Sequence, residues 1–316
     1  MLLLRIVAPT DLVDRVLGYL DTIESGDLIH LPKAARKPAG DFIQCVVGVD
    51  QASVIVSALR DLGVAERGSI TLDRLDATVL VRPIDSSADA VVWEEVEAKT
   101  AATAGLSTGF LIYLMAATVI AAVAILTDSI VLLIGAMVVG PEMGPLAGLS
   151  VGIVQGRREL VRQSTMTLLV GFTLAFVAAF AVTMIFRATG VAPDVFRSDL
   201  HPATIFISRP NAYSVVIAFI CGVVGMLSLT TASAGTMIGV LISATTIPAA
   251  GNCGLALAYG NVDEMTGSLI QLGVNVVVIQ IASLITLRIQ RFTFAIRLAR
   301  FVEKVGHLRL RKLLKR

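Results

Sequence analysis

Apolar and polar residues alternate along this chain in two regimes. Over roughly the first hundred residues, apolar runs are short and interrupted by charge. From residue 106 to 287 they lengthen into stretches broken mainly by Gly, Ala, Ser and Thr. About 20 such residues suffice to cross a hydrocarbon core of ~30 Å. Six spans are predicted, at 106–126, 129–154, 164–186, 212–231, 233–258 and 267–287. The first two are joined by only Thr127, Asp128 and Ser129, which makes them a helical hairpin.

In the first regime, LLLRIVA (2–8) reads as a strand and Asp11 to Ile23 as a helix with Thr10 as its N-cap. Asp27–Leu31 and Phe42–Val49 read as strands around the loop PKAARKPAG. Gln51–Leu62 has a helical apolar face, and Ser69–Val81 suits a last strand or hairpin. The order βαββαβ predicts an α+β ferredoxin-like domain over residues 1–83. Such domains serve as ligand sensors or as assembly modules, so the fold alone selects neither. Residues 84–105 are expected to be a linker helix, with Trp93 at the interface or packed on the domain.

Composition agrees: 55% of residues are hydrophobic, 16% are charged, and mean hydropathy is +0.82. The start of the chain, with Asp11 and Asp14 close behind MLLL, lacks the pattern of a signal peptide, so the first domain is expected in the cytoplasm. Charge placement orients the spans. Arg157, Arg158 and Arg162 set the second connection inside, while Asp128, Asp263 and Glu264 fall outside. Residues 288–316 hold 10 of the 26 Lys and Arg and one acid, Glu303. Beside a span this predicts a basic amphipathic helix on anionic lipid, with both termini cytoplasmic in the inner membrane, and not a nucleic-acid site. Cys45, Cys221 and Cys253 lack metal-ligand spacing and read as buried apolar residues. No metal, cofactor or catalytic constellation is indicated, so an enzyme is not expected.

Two stretches match without a gap at an offset of 104 positions. Thr127 falls on Thr231, Ser129 on Ser233, Gly135 on Gly239, Gly156 on Gly260 and Ser164 on Ser268. Each unit has three spans (106–186 and 212–287), so the second must run inverted. An inverted three-plus-three repeat with interrupted helices is a pattern of secondary transporters.

The interruptions are Gly140, Pro141, Gly144 and Pro145 in the first unit, and Pro248 and Gly251 in the second. Non-helical backbone inside a membrane is tolerated only where protein or a watery cavity satisfies it. Glu142 lies at the first break, ~20 Å into its span at 1.5 Å per residue. Acids at that depth face a polar cavity, a partner or a proton path. Three readings stand: a protonatable gate or cation ligand, a hydrogen-bonding acid at a subunit contact, or a partner for Arg158 or Arg162. Thr245, Thr246, Asn252 and Asn275 are the polar residues expected to complete a site, and Asp128 is expected to cap the outer hairpin.

The stretch DSIVLLIGAMVVGPEMGPLAG, following a soluble βαββαβ-like region and a span, resembles the uncharacterised hydrophobic membrane proteins of bacteria and archaea grouped as domain-of-unknown-function family 389. Asp128, Ser129, Gly135, Ala136, Met137, Pro141 and Pro145 carry the resemblance. It implies a multi-span inner-membrane protein and brings no reaction or substrate.

The expectation is a secondary transporter or channel-like permease for a small solute or ion, proton- or cation-coupled, with its site between the interrupted helices. The alternative is a membrane-anchored sensor or scaffold whose soluble domain binds a ligand. A homo-oligomer is expected in either case.

Overall fold

The computed structural model describes residues 1–23, 25–75, 93–193, 196, 207–209, 211–231 and 246–313, with side chains up to 293 except those of 50, 74 and 94. The predicted linker portion 84–92 and the second-unit segment holding Ser233 and Thr245 lie outside them. Two compact units form, residues 1–96 with 290–316, and residues 97–289.

The first unit holds a four-stranded antiparallel sheet, β1 (Leu2–Ala8), β2 (Gly26–Arg36), β3 (Ala39–Val47) and β4 (Ser69–Arg74), in the order β2-β3-β1-β4. On β1 the side chains alternate, so that Leu2, Leu4, Ile6 and Ala8 are buried. Ile6 pairs with Ile43 on one side and Ile70 on the other. Helices α1 (Val13–Leu20) and α2 (Val49–Asp61) add Val16, Leu20, Ile55 and Leu59 to this core, and a short α3 (Val64–Arg67) precedes β4.

Two sequence expectations change here. Helix α1 starts at Val13 after Leu12, with no side-chain cap, so Thr10 does not cap it. The segment expected to be a loop, PKAARKPAG, is mostly strand: β2 runs to Arg36 and β3 starts at Ala39. Pro32 is tolerated there because β2 is an edge strand with register shifts between Gly26 and Ile29 and between Leu31 and Ala35.

The second unit is helical: α4 (Trp93–Ala104, from residue 97), α5 (Thr108–Leu126), α6 (Ile130–Val139), α7 (Met143–Gln155), α8 (Arg158–Ala188), α9 (Ala212–Thr231), α10 (Thr246–Ala258) and α11 (Val262–Leu313). Among the described residues, α5, α8, α9 and Val262–Thr293 of α11 are long and apolar enough to cross a membrane. The pair α6 and α7, bent by 48°, makes a fifth span if counted as one. Six spans were expected, but only 246–258 of the span 233–258 is described. The chain is thus a mostly helical membrane protein with a small N-terminal sheet. Helix α11 continues unbroken from its apolar portion through the basic tail to Leu313.

Several local features recur 104 residues apart. Ser107 Oγ accepts from Phe110 N at the start of α5 (3.1 Å), and Asn211 Oδ1 accepts from Ser214 N at the start of α9 (3.0 Å). Thr127 and Thr231 each donate to the carbonyl four residues back, at 2.9 Å. Gly156 (φ 71°) and Gly260 (φ 69°) end α7 and α10 in the left-handed conformation that favours glycine. Helices α8 and α11 then begin two residues later, at Arg158 and Val262.

Candidate functional site

Pro145 is the third residue of α7, whose N-cap is Glu142, and Pro248 lies within α10. The N–H groups of a first turn have no intrahelical partner, so a proline there costs no hydrogen bond. The interruption is therefore confined to Gly140–Glu142, where Gly140 is extended (φ −67°, ψ 130°) and Glu142 is the residue before α7.

Glu142 is fully buried, and so is Thr246 of α10. Thr246 Oγ1 donates to Glu142 Oε1 at 2.8 Å. The other carboxylate oxygen, Oε2, is buried without a hydrogen-bond partner. Leaving such an acceptor unsatisfied costs about 1–3 kcal/mol, so its retention calls for a reason. Gly140 makes room for it: a Cβ at Gly140 would sit 2.5 Å from Oε2 and 2.7 Å from the Ile247 side chain.

No cation reaches Glu142 among the described residues. Arg162 pairs instead with Glu159 (2.8 Å), and Arg157 with Glu97 (2.9 Å). The alternative of Arg158 or Arg162 as its partner thus has no ion pair to Glu142 among the described residues. Groups of three or more His, Cys, Asp or Glu able to hold a metal are absent among the described residues.

The remaining predicted residues are placed elsewhere. Asn252 Nδ2 donates to Ser268 Oγ (2.7 Å), and Gln271 Nε2 donates to Asn275 Oδ1 (3.1 Å). Gly251 packs against the backbone of α5, where an added Cβ would come within 2.9 Å of Thr118 O. Gly144 lies on α4 at Thr103. At the hairpin, Ser129 caps α6 by accepting from Leu132 N (3.3 Å), while Asp128 takes φ 48° in the turn. Ser129, not Asp128, is the cap, because only the residue directly before the helix points its side chain back at the open N–H groups.

Sequence reasoning missed two further arrangements. Ser150 donates to Gln280 Oε1 (2.6 Å) while Gln280 Nε2 donates to Leu146 O (2.8 Å), which binds α7 to α11. A cavity of about 740 Å³ reaches from the exposed Lys99 and Ser107 to Leu146, Met226 and Ile279, and Gly140 lies in its wall. The break residues Gly140, Pro141 and Gly144 line this cavity, while Glu142 and Thr246 do not.

The profile of the domain of unknown function DUF389 matches residues 137–281, which include Glu142 and Thr246. Residues 137–281 of the chain thus carry this domain of unknown function. It is 22% identical over 271 residues to an uncharacterized protein of Methanocaldococcus jannaschii, covering 84% of this chain and 81% of that one. No solved structure matches it.

Proposed function

We propose that this protein is a permease for a small solute or ion, coupled to protons or cations, with Glu142 as the titrating group. The observation that carries the reading is the buried contact between Glu142, at the break before α7, and Thr246 of α10. A carboxylate with one unpartnered oxygen is held there, one glycine away from a cavity. Intramembrane acids in such settings serve ion and proton pathways.

The same reading takes residues 106–186 and 212–287 as an inverted repeat. The recurring caps, glycines and helix starts at a spacing of 104 support it. So does the Glu142–Thr246 contact, because residues of equal rank meet only near a two-fold axis. The strand order β2-β3-β1-β4 supports a ferredoxin-like assignment for the N-terminal sheet. We place the protein in the inner membrane as a homo-oligomer, with cytoplasmic termini and its basic C-terminal helix against anionic lipid. The Lys and Arg distribution supports this orientation.

The test is proton flux into proteoliposomes loaded with a pH-sensitive dye, driven by a valinomycin-imposed potassium potential. The intact protein should acidify the lumen faster than protein-free vesicles, and Glu142→Gln should remove that excess. Flux no faster than in empty vesicles, or a Glu142→Gln rate equal to the original, refutes the assignment.

A further inference from the structure

The cavity of the helical unit has a graded lining. Its volume is about 740 Å³, inside the range of about 300–1,000 Å³ usual for small-molecule sites. Lys99 and Ser107, both exposed, line it from the chain ahead of α5. Phe110 of α5, Leu146 of α7, Met226 of α9 and Ile279 of α11 supply apolar wall. Among the described residues that line it, Lys99 alone carries a charge. The lining thus offers a cation at one place and hydrocarbon over much of the rest.

The cavity lies toward one membrane face. Leu229, near the end of α9, and Phe110, near the start of α5, both line it. In the proposed orientation that face is cytoplasmic, the side whose leaflet carries a negative surface potential. Gly109 and Tyr113 also line the cavity, and both are exposed on α5. Since α5 is long and apolar enough to cross a membrane, its exposed surface is one that meets acyl chains.

Water suits this lining poorly, because an apolar wall lacks the polar partners that a buried water needs. An acyl chain neither gains nor loses much in moving here from the bilayer, since both surroundings are hydrocarbon. Selection among lipids therefore falls to the head group. The methylene stem of a lysine can lie along an apolar wall while its ammonium reaches the polar layer. We propose that this cavity binds an anionic phospholipid, with one acyl chain among α5, α7, α9 and α11 and the head at Lys99. The site is separate from the one in the permease reading, because Glu142 and Thr246 do not line this cavity.

The test places a tryptophan in the cavity wall of the full chain. Trp93, the one tryptophan of the protein, is replaced by phenylalanine, and Leu229→Trp supplies the reporter. The protein is reconstituted in dioleoylphosphatidylcholine vesicles with a rising fraction of phospholipid whose brominated chains quench indole on contact. Brominated phosphatidylglycerol should half-quench at about a fivefold lower fraction than brominated phosphatidylcholine, the preference that one lysine near a membrane surface supplies. Lys99→Gln should abolish that preference, and Lys99→Arg should keep it. Phe110→Trp repeats the measurement from α5 if Leu229→Trp does not assemble. Val131→Trp, at a position of α6 that is 82% exposed, should be quenched alike by both lipids. A preference as large at Val131→Trp, equal quenching of the cavity reporter by both lipids, or no quenching of it by either overturns the proposal. Reversal of the phosphatidylglycerol quenching by an equal fraction of oleate assigns the site to a free fatty acid and overturns it as well.

Discussion

Thr246 donates a 2.8 Å hydrogen bond to Glu142 from a position 104 residues further along the chain. Glu142 directly precedes α7, Thr246 lies in α10, and neither exposes surface to solvent. One hydroxyl proton thus satisfies one carboxylate oxygen and leaves the other as an unpaired acceptor.

Replacing Thr246 by valine removes the donor at nearly constant volume and leaves two buried acceptor oxygens without partners. The expected loss is about 1–3 kcal/mol in a reversible detergent-unfolding titration. Glu142→Gln keeps the acceptor oxygen and should cost less. A double-mutant cycle should then return a coupling of about 0.5–2 kcal/mol, and a coupling of zero would mean the two side chains do not interact.

The glycines separate into two sets with opposite outcomes. A Cβ at Gly254 would meet Phe176 O at 2.7 Å, and one at Gly251 would meet Thr118 O at 2.9 Å. Alanine at either position pushes on backbone and should destabilise by about 1–3 kcal/mol, lowering the yield of monodisperse protein. Gly135 has nothing within 4 Å of an added Cβ, so Gly135→Ala should be neutral or stabilising by up to about 1 kcal/mol.

Gln280 holds α7 through both ends of its amide, accepting from Ser150 and donating to Leu146 O. Gln280→Leu removes both bonds without removing bulk. Intramembrane hydrogen bonds contribute about 0.6–2 kcal/mol, and a fall in unfolding stability of that size is expected. Gln280→Glu should fare worse than Gln280→Leu in the same titration, because it places a second acid in apolar surroundings.

In the N-terminal sheet, Asp41 accepts from Lys33 N (3.0 Å) and pairs with His30 Nε2 (2.8 Å). The backbone bond from Lys33, followed by the His30 bond, holds the carboxyl below its ordinary 3.8. A carboxyl lowered by folding stabilises the folded state above its unfolded pKa, and loses that contribution as pH falls through the folded value. Amide exchange of the peptide spanning residues 26–41 should therefore quicken as pH is lowered below about 4, beyond the intrinsic pH dependence of exchange. Asp41→Asn should lack this step; an unaltered profile in that variant would exclude Asp41 as its source.

Much of the helical unit was legible because apolar length and small-residue content report membrane helices directly. The spacing of 104 paired Glu142 with Thr246 on paper, and folding brought that pair into contact. Other features depended on tertiary position. Whether PKAARKPAG is loop or strand turns on β2 lying at a sheet edge, which composition does not encode. His30 and Asp41, eleven residues apart, become neighbours only when β2 pairs with β3. The cavity was only half legible: the expected helix-break residues Gly140, Pro141 and Gly144 line it, but the expected polar residues do not, and Leu146, Met226 and Ile279 complete its walls. Asp128 was misjudged by one residue, and one residue decides which side chain faces the first turn of α6.

Under the proposed inverted repeat, the difference between Glu142 and Thr246 also bears on the ancestry of the fold. A side chain on the axis of a symmetric dimer confronts its own copy, so an acid there would face an acid. In apolar surroundings two such carboxylates cannot both ionise, and they would have to share a proton. Joining the halves in one polypeptide lifts that restriction. One half can retain an acid while the other supplies a hydroxyl donor, as Glu142 and Thr246 do. Covalent fusion thereby turns a site of enforced self-likeness into one with a single ionisable group, whose charge can be counted one proton at a time.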